Sequence, residues 1–86
     1  MIIDRRNIML SLLMAPIDKE LKILKVKSNK LPTDSQAKHL NNLGFIEGST
    51  LRVVSENNGN LIVNIKGARV AIGKDIASAF MVGELQ

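Results

Sequence analysis

Residues 51–73 read Leu-Arg-Val-Val-Ser-Glu-Asn-Asn-Gly-Asn-Leu-Ile-Val-Asn-Ile-Lys-Gly-Ala-Arg-Val-Ala-Ile-Gly, and their alternation decides the fold. Leu51 and Val53 alternate with Arg52 and Val54, and Leu61, Val63 and Ile65 alternate with Ile62, Asn64 and Lys66, the period of two that places one face of a strand inward. Between them Asn57-Asn58-Gly59-Asn60 predicts a hairpin turn, because Asn and Gly tolerate positive φ. Gly67-Ala68 predicts a second reversal into the strand Arg69–Ile72. Gly73 then opens a short helical turn carrying Ile76 and Ala77, before a last strand at Phe80-Met81-Val82.

Upstream of this meander, Thr33-Asp34-Ser35-Gln36 has the form of a capping box, with Asp34 at the positive end of the helix dipole. Ala37, Leu40 and Leu43 share one helical face, and Gly44-Phe45 predicts a Schellman ending in which Phe45 packs back on Leu40. Leu31-Pro32 separates this helix from a strand over Lys19–Ser28. There Leu21 and Ile23 have one parity and Leu24 and Val26 the other, so a bulge near Ile23-Leu24 is expected; without it Leu24 is exposed. Lys19, Lys22, Lys25, Lys27 and Lys30 are read as the solvated face of an edge strand. About five short strands, one inserted α-helix and tight turns predict a mainly β fold, a small, partly open barrel.

Composition narrows the function. The 86 residues carry a net charge of +4, 45% hydrophobic residues, no cysteine and no tryptophan or tyrosine. That length gives one domain with one small core. Lack of cysteine excludes disulfides, thiolate metal sites and thiol nucleophiles. No stretch reaches the ~20 apolar residues of a membrane span. Arg5-Arg6 followed by the apolar run Ile8–Ala15 resembles a short signal peptide, but no small-x-small cleavage site follows. A segment docked on the core or touching a partner is expected instead.

His39, the single histidine, has Ser35, Gln36, Asn42 and Leu43 at the spacings where a helical metal site needs a second ligand, so it is read as a surface residue flanking the apolar face. The carboxylates are scattered, with no adjacent acidic pair. Gly67–Asp75 approaches a phosphate-binding loop but has one residue too many between its glycines, and Asp75 replaces the hydroxyl. The basic charge would suit nucleic acid, yet stacking aromatics do not accompany it.

From Leu10 to Leu85 the chain resembles the FeoA family of ferrous-iron-transport accessory proteins. The resemblance rests on Ala15-Pro16, on Leu40-x-x-Leu43-Gly44-Phe45-x-x-Gly48 and on the hairpin at Gly59. It continues through Val63-x-Ile65-x-Gly67-x-Arg69-Val70-Ala71-Ile72-Gly73, Ile76-Ala77 and Phe80-Met81-Val82. Glu47-Gly48 stands where the family usually has Pro-Gly, and a glycine common after Ala-Pro is absent. Residues 1–9 form an N-terminal extension and residues 10–86 the domain.

The resemblance implies an SH3-like barrel and a non-enzymatic cytoplasmic role beside a FeoB-like, GTPase-linked membrane transporter, whose cytoplasmic domain would be the partner. No cofactor is expected beyond weak transition-metal binding, and no specific nucleic acid. A similar module closes iron- and manganese-dependent repressors, which leaves a metal-responsive or nucleic-acid-binding regulator as the alternative. For partner binding, Leu12, Leu13 and Met14 are the expected apolar anchors and Lys22, Arg52 and Arg69 the charged contacts. Gly44, Gly48, Gly59, Gly67 and Gly73 are assigned to turns.

Overall fold

A computed structural model describes residues 9–31 and 33–84. Arg5, Arg6, Ile8 and Pro32 lie outside the described residues, as does most of the extension. The strands are β1 (Leu10–Ser11), β2 (Glu20–Val26), β3 (Thr50–Asn57), β4 (Asn60–Ile65), β5 (Ala68–Gly73) and β6 (Phe80–Glu84). Two helices, α1 (Asp34–Asn42) and α2 (Lys74–Ala77), and single 3-10 turns at Leu12–Met14 and Ser28–Lys30 complete the domain.

All strand pairs are antiparallel, in the order β1-β6-β2-β3-β4-β5, so the sheet is open between β1 and β5. The alternation read in the sequence is the alternation buried. Leu21 and Ile23 of β2, Leu51 and Val53 of β3, and Leu61, Val63 and Ile65 of β4 all enter one core with Ile72, Phe80 and Val82. Leu12, Leu40 of α1, Ile76 and Ala77 of α2, and Ala79 join it. Phe45 and Phe80, the only aromatic residues, meet there with ring centroids 5.2 Å apart and planes tilted by 42°.

Helix α1 starts and ends as its sequence predicts. The Gln36 N–H donates to Thr33 Oγ1 at 3.0 Å. At the other end the Phe45 N–H donates to the Leu40 carbonyl and the Gly44 N–H to the Asn41 carbonyl, both at 3.0 Å, with Gly44 at φ +107°. That is the complete Schellman pair of bonds, and it aims Phe45 at the core.

The expected bulge in β2 is present. Ile23 pairs with Val82 and Lys25 with Met81, which leaves Leu24 as the extra residue, half-exposed, and returns Val26 to the core. A second bulge, at Val54, was not foreseen; Val53 pairs with Val63 and Ser55 with Ile62.

Two expectations require correction, the edge position of the lysine-bearing strand and the place of the second reversal, and two are filled out. The lysine-bearing strand is not an edge, because β2 lies between β6 and β3; its lysines mark a solvated face, and a side-chain pattern carries no information about neighbours in the hydrogen-bonding direction. The sheet has a sixth strand, the two-residue β1. The second reversal centres on Lys66-Gly67, at φ +49° and +79°, one residue earlier than read. Gly73 opens α2 as its N-cap, as read, at φ −72°, whereas Gly44, Gly48, Gly59 and Gly67 all have positive φ.

Candidate docking faces

The segment between β1 and β2 builds the first face. Ser11 Oγ accepts the Leu13 N–H at 3.2 Å and fixes the 3-10 turn Leu12–Met14. One turn with three residues sends them in different directions. Leu12 goes inward and is 1% exposed, Leu13 lies half-buried against the core, and Met14 is 74% exposed. Leu12 is therefore a core residue and is not available as a surface anchor. Ile17, 52% exposed, adds to the face; its apolar character between Pro16 and Asp18 was the signal in the sequence, but no period attached it to an element. The Asp18 N–H donates to the Val53 carbonyl at 2.7 Å and ties this segment to β3.

The charged residues lie on the outer face of the sheet. Glu20 pairs with Arg52, Arg52 with Asn64, and Asn64 with Arg69, so one register row crosses β2 to β5. Lys22, opposite Thr50, belongs to the next row on the same face, because Leu21, Ile23 and Leu51 point inward. Lys22, Arg52 and Arg69 thus share the outer face of the sheet, spread from β2 to β5. A shallow hollow of about 230 Å³ between these rows is lined by Glu20, Thr50, Arg52, Asn64 and Lys66. Arg52 Nη1 lies 3.9 Å from Asp18 Oδ1, an exposed pair worth less than about 1 kcal/mol, so Arg52 remains available to another anion. Asp18 joins the two faces, following Ile17 in the chain and reaching Arg52 across it.

A third feature, an apolar cleft of about 420 Å³, lies between Val26, Leu31, Leu40, Phe45 and Phe80, with Glu47 at its wall. Among the described residues no group of three or more His, Asp or Glu side chains comes together to hold a metal ion. His39 is exposed on α1 beside Leu40, as its spacing predicts. No helix among the described residues is long and apolar enough to cross a membrane.

Comparison with known proteins agrees with this architecture. The family model described as FeoA domain matches residues 10–83. The crystal structure of an iron uptake regulatory protein, FeoA, superposes with a TM-score of 0.74 at 23% identity, covering 91% of this chain and 99% of that one. The solution structure of the FeoA protein from Chlorobium tepidum gives a TM-score of 0.77 at 18% identity, covering 90% and 71%. IdeR of T. acidophilum matches with a TM-score of 0.74 at 23% identity, over 90% of this chain but only 34% of IdeR. Curated proteins yield no significant match. The fold is therefore SH3-like.

Proposed function

The chain belongs to the FeoA domain family, and from that premise we propose that it is a non-enzymatic accessory protein of ferrous iron uptake, acting in the cytoplasm by docking on a FeoB-like membrane transporter and regulating it. The observation that carries this reading is the exposed apolar pair Met14 and Ile17, joined through Asp18 and Arg52 to the outer sheet face that also bears Lys22 and Arg69. Large apolar side chains held on a fixed turn beside a charged surface are the usual composition of a protein-binding patch. Met14, Ile17 and the exposed part of Leu13 supply the apolar contact. The cations guide encounter with an acidic partner surface.

The test is binding of the purified chain to the cytoplasmic domain of a FeoB-like transporter, with and without guanine nucleotide. Met14→Asp and Ile17→Asp should each weaken binding about tenfold or more, while urea unfolding midpoints stay close to that of the parent. Absence of binding in both nucleotide conditions overturns the proposal. The alternative, a metal-responsive or nucleic-acid-binding regulator, is supported by fold likeness alone. It predicts metal affinity or salt-dependent DNA binding, and titrations lacking both would remove it.

A further inference from the structure

Strand β5 ends the sheet, and its outer side has no partner among the described residues. In the β4–β5 ladder the two-residue turn makes Ile65 and Ala68 a doubly hydrogen-bonded pair, and such pairs recur at every second position, Val63 with Val70 and Leu61 with Ile72. The N–H and C=O groups of Ala68, Val70 and Ile72 therefore face β4, and those of Arg69 and Ala71 face outward. The strand is six residues long, unbulged in its pairing and free of proline, with Arg69 as its one charge. These are few of the protections that edges normally carry.

Alongside this edge runs a groove of about 160 Å³ whose far wall is α1. Leu40, Leu43, Val70, Ile72 and Ile76 line it, and the exposed His39 completes the wall. A strand laid against β5 would stand ~4.8 Å from it and project alternate side chains toward the groove. Its volume is enough for one branched aliphatic side chain. Two independent features, an open ladder and an apolar groove beside it, thus call for the same shape of occupant.

We infer that β5 and α1 form a binding groove for an extended peptide segment, which adds to the sheet as a seventh strand, inserts an aliphatic side chain between Leu43 and Ile76, and carries a carboxylate toward Arg69. The acidic character follows from charge. Lys66 and Arg69 stand at one end of the strand, and among the described residues no carboxylate lies within 4.0 Å of Arg69; at the other end Lys74 already has Glu56 at 3.7 Å. A second copy of this chain does not suit the groove. Its own β5 turns Val70 and Ile72 into its own core and offers only Arg69 and Ala71 on the other face, so the groove would stay unfilled and like charges would meet. The groove lies apart from Met14 and Ile17 but shares Arg69 with the outer cationic face; the inference rests on the open β5 edge and the apolar groove and does not depend on the transporter reading.

The test is selection of a displayed library of random peptides of roughly ten residues, long enough to span such a strand, against the whole chain. Nuclear magnetic resonance then maps the selected peptides. The expected binders carry an acidic residue and a central aliphatic one, and on saturation they slow hydrogen exchange at the Arg69 and Ala71 amides. Ala71→Pro removes an outward N–H without touching the β4 pairing and should weaken them about tenfold or more. Arg69→Glu should shift selection toward basic peptides. A selection that yields no binders, binders that perturb the face of Met14 instead, or binders indifferent to Ala71→Pro in a folded variant would each overturn the inference. So would Arg69 and Ala71 amides that are already protected in the free protein in a concentration-dependent way, because a second copy would then occupy the edge.

Discussion

Gly44 holds φ +107°, and a Cβ built there meets the side-chain carbons of Lys66 at 2.9 to 3.2 Å. The lysine is flexible and can withdraw, so the cost of Gly44→Ala is the backbone conformation itself. Urea unfolding should show a loss of about 1–2 kcal/mol. Leu12 tests a different force. Leu12→Ala should cost about 2–4 kcal/mol by opening a cavity in the core, and any loss of partner binding should track the loss of fold. Met14→Asp should separate the two, with binding lost and stability retained. In the sequence Leu12, Leu13 and Met14 are equivalent apolar residues; a single 3-10 turn distinguishes them, and only three-dimensional packing says which one turns inward.

At the scale of elements, Thr33→Ala should lower stability by about 1 kcal/mol, seen as an earlier denaturant midpoint, because it leaves the Gln36 N–H without its acceptor. The bulge at Leu24 makes a sharper prediction. Removing Leu24 leaves Ile23 and Val26 facing the core with Lys25 between them, so the deletion variant should fold with a loss below about 2 kcal/mol by chemical denaturation. Removing Lys22 instead reverses the parity of the strand on one side of the gap and should abolish cooperative unfolding. Helix α1 and the first hairpin were legible because their signals are local, in a cap four residues long, a Gly-Phe ending and an Asn-Gly turn. The six-strand order was not. Whether a lysine-rich strand stands at an edge depends on backbone neighbours far along the chain, and β1 is too short to leave a period. Of the candidate site, Lys22 and Arg52 were legible because each alternates with buried neighbours, while their sharing one sheet face with Arg69 required the register.

For the whole molecule, the sheet closes upon the core only when the N-terminal segment is in place. Truncation through Leu13 removes β1 and Leu12 together, and should cost about 3 kcal/mol or more and lower the thermal midpoint by several degrees, with β6 newly exposed as an edge. The basic charge, which at first suggests nucleic acid, is distributed among strands, helices and turns of the described residues and comes without tyrosine or tryptophan to stack on bases. One consequence of the β1–β6 pairing reaches beyond stability. Leu10 stands opposite Val82, so the chain enters and leaves the domain a single strand apart. A unit with adjoining entrance and exit is easily spliced onto or into a longer polypeptide without reworking its interior. That geometry is in keeping with the match of the same fold to about a third of IdeR. Adjoining ends leave such a fold suited to standing alone or to being joined at either side.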